Sequence, residues 1–230
     1  MQRVCVSIGN TSLDDALAAV DQVAPLADVV EIRLDLLSVP AISPFIAAIN
    51  RPLLFTNRPE WEGGQFAGSE EDRLAPLCEA LRQGAHYVDL ELLSPSPSKQ
   101  TLLREVEESE QGRLILSWHQ FQGTPSFPEL VGRMALMQDA GADIGKIVTT
   151  AHEPADVRSV LRLLEEAAKL EFPLIAFCMG RAGVISRVAS VELGGYMTYC
   201  AVSEDEVTAP GQLSVAALRH IESIMGGEQA

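Results

Sequence analysis

The chain has 230 residues, 47% of them hydrophobic, which is enough to bury one large core and falls inside the size range of a complete α/β barrel. Its formal net charge of -15 speaks against nucleic acid and anionic membrane as partners, since both require clustered Lys and Arg. The surplus acid reads as a solubility feature of the outer surface, as at Glu105, Glu107, Glu108 and Glu110 around one expected helix.

The elements alternate in chain order. VCVSI (Val4 to Ile8) reads as a strand, followed by a helical stretch from Leu13 to Ala24. VVEIRL (Val29 to Leu34) precedes a helix at Ser43 to Ala48, and LLFT (Leu53 to Thr56) precedes one at Glu71 to Leu81. YVDLEL (Tyr87 to Leu92) leads to Lys99 to Glu108, with Ser94-Pro95-Ser96-Pro97-Ser98 expected to form the loop between them. LILSWH (Leu114 to His119) and Phe127 to Asp139 follow, then IGKIVTT (Ile144 to Thr150) and Pro154 to Lys169. LIAFCM (Leu174 to Met179) with a short helix at Ser186 to Val191, and MTYCAV (Met197 to Val202) with Ser214 to Ile224, complete the series. The helices carry apolar residues at helical spacing and the strands are short and β-branched.

Strict alternation implies a parallel sheet, and eight such units predict a (β/α)8 TIM barrel as a single domain over residues 1–230. An open doubly wound sheet is the alternative, weakened because no GxGxxG follows the first strand. Gly63 to Gly68 and Ser203 to Gln212 are the candidate lids. Cys5, Cys78, Cys178 and Cys200 stand without close spacing and are expected to be reduced. With no signal-peptide pattern and no span-length apolar run, the expected location is the cytoplasm.

Strand alternation sends Glu31, Arg33 and Asp35 to one face and Val30, Ile32 and Leu34 to the other. Asp89 with Glu91, Ser117 with His119, and Lys146 in line with Ile144 and Val148 follow the same rule. Helices cover the outside, so these charges point inward, where barrels are usually packed with branched apolar side chains. Such charges are either a structural ion-pair network and solvated strand ends, or they are put to use. A lysine in a half-apolar barrel with cations nearby is favoured as the neutral, nucleophilic amine, although a lysine snorkelling from a strand end has the same sequence signature. His119 ends its strand, at the barrel face where active sites lie. His86, His152 and His220 lack ligand-like spacing, and no metal site is expected.

In succession, EIRLD from Glu31, NRPEWEGGQFAG from Asn57, SWHQFQGTP, ADIGKIV, MGRAGVISR and TAPGQ resemble the type I 3-dehydroquinate dehydratases over essentially the whole chain. The resemblance implies a cofactor-free, metal-free lyase of the shikimate pathway that converts 3-dehydroquinate to 3-dehydroshikimate. It implies Lys146 as Schiff-base lysine, His119 as general acid and base, and Glu62 as the partner orienting the imidazole. It further implies Arg187 on the substrate carboxylate, Glu31, Arg33 and Arg58 on ring hydroxyls, Ser7 as a hydrogen-bonding group, and Thr208 with Gln212 in a closing loop. RPEWEGGQ, KIVTTA and CMGRAGVISR are most similar to the dehydratase half of plant-type bifunctional enzymes, and with Ala230 as the last residue given, a nicotinamide-binding half is not expected within this sequence. Three positions depart from the family pattern: Thr208 where serine is common, Tyr199 where phenylalanine is usual, and Gln120 after the histidine. The alternatives are a class I Schiff-base aldolase and a non-catalytic barrel serving as a binding module. A homodimer is the expected assembly, being the commonest for soluble proteins.

Overall fold

The computed structural model describes residues 4–226. Its strands are β1 (Val4–Ile8), β2 (Val29–Arg33), β3 (Leu53–Thr56), β4 (Tyr87–Glu91), β5 (Arg113–Gln120), β6 (Ile144–Thr150), β7 (Leu174–Met179) and β8 (Thr198–Ala201). The intervening helices are α1 (Leu13–Val23), α2 (Ser43–Ala48), α3 (Glu70–Arg82), α4 (Ser96–Glu108), α5 (Phe127–Asp139), α6 (Pro154–Lys169) and α7 (Val184–Glu192), with α8 (Val215–Gly226) last. All ladders are parallel, in the order β7-β6-β5-β4-β3-β2-β1-β8. Between β7 and β8 the Tyr196 N–H donates to Leu174 O at 2.8 Å, drawing the remaining seam together into a nearly closed barrel. The open-sheet alternative is thereby set aside.

Alternation along the strands divides the apolar residues into two cores. Val4, Val6, Val30, Ile32, Val88, Leu90, Leu114 and Leu116 face outward and pack with the helices. Cys5, Val29, Leu54, Ile115, Ile144 and Ile175 face the axis and fill the lower half of the cylinder. The inward rows of β1 to β5 turn polar toward the carboxyl ends of the strands, and β6 adds Lys146, at the end where barrels of this architecture carry chemistry.

Three expected features differ in the structure. Ser96–Ser98 belong to α4 rather than to a loop, because Pro97 lies in the first helical turn, where a missing N–H costs nothing, and the Ser98 hydroxyl donates to Glu70 at 2.6 Å. The segment 63–68 is pinned rather than free to swing: Phe66 N–H donates to Arg58 O at 3.1 Å and Glu60 N–H to Phe66 O at 3.1 Å. Leu34 and Asp35 leave β2 for a short 3-10 turn at Leu34–Leu36, so strand alternation does not extend to Asp35.

The pinned loop depends on glycine at two places. Gly63 ends the 3-10 turn Glu60–Glu62 in the left-handed region, at φ 79°. A Cβ on Gly64 would sit 2.0 Å from the Arg58 carbonyl oxygen. Gly64→Ala is therefore expected to destabilise the fold by about 1–3 kcal/mol, the range for overpacking, measured as a lower denaturant midpoint. An unchanged midpoint would show that this loop is not held as described.

Candidate active site

The inward polar rows open into one cavity at the carboxyl end of the barrel. All ten residues expected at the site line it: Ser7, Glu31, Arg33, Arg58, Glu62, His119, Lys146, Arg187, Thr208 and Gln212. β1 supplies Ser7, β2 supplies Glu31 and Arg33, β5 supplies His119 and β6 supplies Lys146. Arg58 and Glu62 come from the stretch between β3 and the pinned segment, Glu62 ending the 3-10 turn Glu60–Glu62, and Arg187 comes from the first turns of α7. Thr208 and Gln212 come from the segment before α8, which supplies part of the cavity wall.

Lys146 is buried, at 4% exposure. Its Nζ donates to Asp89 Oδ2 at 3.0 Å and lies 4.1 Å from the centre of the Tyr199 ring. A carboxylate and a ring face therefore meet the amine, where the sequence reading expects apolar residues and cations. Ser117 of β5 is in register with both Glu91 of β4 and Lys146 of β6. This register places the β4 acids on the same stretch of inner wall as the amine.

Asp89 is itself held from the other side. Its Oδ1 accepts from Arg58 Nη2 at 2.9 Å and from Ser117 Oγ at 2.6 Å. Burial by itself would raise its pKa, but the cations of Arg58 and Lys146 outweigh burial and hold it well below the usual carboxylate range. Arg58 reaches Glu91 Oε1 at 2.7 Å with its other nitrogen. The second oxygen of Glu91 accepts from Arg73, a fully buried residue of α3 whose guanidinium also pairs with Glu70 at 2.8 Å. Glu31 accepts from the Ser7 hydroxyl and from Thr56 at 2.7 Å. Arg33 forms a two-point pair with Asp35 at 2.9 and 2.7 Å.

His119 is organised differently. Glu62 Oε1 accepts the His119 backbone N–H at 2.9 Å and meets Nδ1 at 2.9 Å. In the tautomer with Nδ1 as donor, that oxygen accepts from the ring as well as from the backbone, and Nε2 keeps its lone pair. Burial, then Arg58 and Lys146, push the imidazole well below its ordinary value. Burial pushes Glu62 up to about 8, against the opposing pull of Arg58. Near pH 7 this contact is accordingly a hydrogen bond between neutral groups rather than an ion pair. Phe121 stacks on the imidazole, with ring centres 6.3 Å apart and an interplanar angle of 14°.

Arg187 is buried with no carboxylate partner among the described residues. Its guanidinium lies over Phe177 at 4.6 Å and donates to Pro210 O at 3.3 Å, while Nε has no partner. Burial lowers its pKa to about 10. In the segment before α8, the Thr208 N–H and hydroxyl both donate to Gln212 Oε1, at 2.9 and 3.0 Å. The Gly180 N–H donates to Pro210 O at 3.3 Å.

The lining residues Phe177 and Met179 were not singled out from the sequence, although period-two alternation in LIAFCM places both on the inner face. Arg73 had no comparable signal, because an arginine in the acidic first turns of a helix reads as a surface residue. No His, Cys, Asp and Glu grouping able to hold a metal ion occurs among the described residues. No helix among them is long and apolar enough to cross a membrane.

Polar side chains gathered from separate strands to the carboxyl mouth of a parallel barrel, with a lysine and a histidine–glutamate pair on one cavity, define a (β/α)8-barrel enzyme. The family model for type I 3-dehydroquinase matches residues 4–229. A 3-dehydroquinate dehydratase from Desulfotalea psychrophila is 53% identical, with 96% of each chain covered. The chloroplastic bifunctional 3-dehydroquinate dehydratase/shikimate dehydrogenase of Arabidopsis thaliana is 36% identical over 94% of this chain and 36% of that protein. The crystal structure of a type I 3-dehydroquinate dehydratase from Clostridium difficile with covalently modified comenic acid superposes with a TM-score of 0.88. It is 27% identical, with 97% of this chain and 92% of that one covered. The chain belongs to the type I 3-dehydroquinase family.

The Glu62 shift makes stability depend on pH with a defined sign. The folded carboxyl keeps its proton up to about 8, while the unfolded one releases it near 4.5. Its contribution is complete below the lower value and is lost as pH rises through the upper one. His119 acts oppositely, but only below its unfolded value of 6.5. Between pH 6.5 and 8 the unfolding free energy should therefore fall with rising pH, and Glu62→Gln should flatten that decline. Equal slopes for the two proteins in urea titrations would contradict the assignment.

Proposed function

We propose that this chain dehydrates 3-dehydroquinate to 3-dehydroshikimate through a covalent imine on Lys146, with His119 moving the protons, as a step of the shikimate pathway. The observation that carries the reading is the convergence of three groups on one cavity: the buried Lys146 amine, the neutral His119–Glu62 pair, and the Arg187 guanidinium without a protein carboxylate. The family membership supplies the substrate. The Clostridium difficile relative holds a covalently modified comenic acid, which supports covalent chemistry in this family.

Each residue has a physical task in this reading. Arg187 presents an empty planar fork to the substrate carboxylate. The Lys146 nitrogen adds to the ring ketone, and loss of water leaves an iminium whose positive charge accepts the electron pair released when the neighbouring C–H breaks. His119 Nε2 takes that proton and returns one to the departing hydroxyl, while Glu62 fixes the tautomer and accepts more strongly from the imidazolium as it forms. Glu31, Arg33 and Arg58 meet the ring hydroxyls, and Ser7 orients Glu31. Thr208 and Gln212, already bonded to each other, form the cover that excludes water. The reaction needs neither metal nor organic cofactor, because the lysine supplies the electron sink. The reading also places the protein in the cytoplasm, where its four buried cysteines stay as free thiols, and as a homodimer.

Borohydride added with 3-dehydroquinate should fix a stable mass increment on Lys146, located by peptide mass spectrometry. An unmodified lysine would remove the imine from the account. His119→Ala should still form the trapped adduct while kcat, followed by the ultraviolet absorbance of the enone product, falls by about 100- to 10,000-fold. Loss of adduct and turnover to the same degree would give His119 a structural role instead. Arg187→Gln should raise KM by about 10- to 100-fold, equivalent to losing a charged hydrogen bond worth about 1.5–3 kcal/mol.

A further inference from the structure

Among the described residues, two side chains that line the cavity carry a buried polar atom without a protein partner: Arg187, through Nε, and Tyr199, through its hydroxyl. The proposed reading gives the first a ligand. It gives the second none, since an apolar phenylalanine is the usual residue there. Tyr199 is 4% exposed and belongs to the inward row of β8, in register with Cys5 of β1. A hydroxyl buried without a partner costs the free protein stability that phenylalanine in the same place would not cost.

Its position relative to the amine is defined. The ring centre lies 4.1 Å from Lys146 Nζ, and Phe177 tilts against the same ring with centres 6.0 Å apart. The aromatic face attracts a cation at this nitrogen, whether ammonium or iminium. Lys146 Nζ and Phe177 pack against the ring, and Tyr199 lines the same cavity as the amine, so its unpaired hydroxyl belongs to a side chain that borders the place a ring bonded to Nζ would take. Burial, reinforced by Cys5, Glu31 and Asp89, pushes the phenol well above its ordinary value, so it enters the reaction as a protonated donor.

We infer that Tyr199 is a further catalytic residue of the dehydration, its hydroxyl donating a hydrogen bond to the ketone oxygen as the Lys146 nitrogen adds to the carbonyl carbon. The inference rests on the imine reading above. As the C–N bond forms, the carbonyl π pair moves onto oxygen, and the phenol stabilises the developing negative charge while keeping its own proton. The oxygen then departs as water, its protons drawn from the amine and solvent, and the iminium is left over the tyrosine ring. The hydroxyl acts on imine formation, and His119 on the later C–H and C–O steps.

Tyr199→Phe keeps the ring and deletes the oxygen, so the test does not depend on tolerance of a large change. The wild-type protein and Tyr199→Phe would be mixed rapidly with 3-dehydroquinate, quenched with borohydride at successive times, and scored for adduct on Lys146. The expected result is an adduct that forms about 100-fold more slowly in the variant, in line with loss of one donor to a developing oxyanion, and a melting temperature equal to or above wild type. Adduct formation at the wild-type rate overturns the inference and leaves the imine reading standing. A melting temperature below wild type also overturns it, because the hydroxyl would then have a structural partner in the free protein. No adduct in the wild-type protein overturns the imine reading and this inference with it.

Discussion

Arg58 is shared between two buried carboxylates, Asp89 at 2.9 Å and Glu91 at 2.7 Å, and the rest of the interior depends on that sharing. Moving an isolated charge out of water costs several kcal/mol even after the protein relaxes. Asp89, Glu91, Arg58, Arg73 and Lys146 are all nearly inaccessible. None could stand there alone. The alternation of sign along Arg73, Glu91, Arg58, Asp89 and Lys146 gives each charge an opposite neighbour. Loss of one member from such a chain leaves an uncompensated buried charge, which is the expensive case. The chain runs from an outer helix, through Arg73 of α3, to the amine on β6, so it ties the cover of the barrel to the position of its reactive nitrogen.

The same wall of the cavity therefore holds two electrostatic regimes side by side. Lys146 and Asp89 form a charged pair, because Arg58 and Ser117 satisfy the carboxylate from behind. His119 and Glu62 form a neutral pair, because burial opposes charge on both and Arg58 already serves other acids. One guanidinium contributes to both outcomes. It lowers Asp89, and its positive field disfavours a second cation on the imidazole. The proposed reaction needs a base on this cavity, both to relieve the Lys146 nitrogen of its extra proton before it adds and to break the C–H bond, and the neutral imidazole is one.

The barrel was legible in the sequence because both of its periods are strong. Period-two alternation in VVEIRL and YVDLEL distinguished outward Val30, Ile32, Val88 and Leu90 from inward Glu31, Asp89 and Glu91, and the same rule placed Lys146 and His119 inside. Where alternation failed, a local turn replaced the strand, as when Leu34 and Asp35 entered a 3-10 turn. Proline misled at Ser94 to Ser98, since the residue that breaks a helix interior is welcome in its first turn. The partners of Lys146 were less legible. That Asp89 rather than other cations would meet the nitrogen follows from the register between β4, β5 and β6, and register across non-consecutive residues leaves no trace in a single sequence. Arg73 was hidden for a related reason: only the tertiary fold brings the start of α3 over the end of β4.

Arg187 shows how the free protein can hold a group at a disadvantage. It lies in the early turns of α7, Val184–Glu192, where the helix dipole favours negative charge and disfavours a cation. Burial acts in the same direction and lowers its pKa to about 10. The interior acids are engaged elsewhere, Asp89 and Glu91 by Arg58, Lys146 and Arg73, and Asp35 by Arg33. Phe177 and the Pro210 carbonyl are what the guanidinium meets instead. An anion arriving at this corner would meet the fork of the guanidinium, so the cost of holding a buried cation unpaired in the free protein becomes a gain on binding.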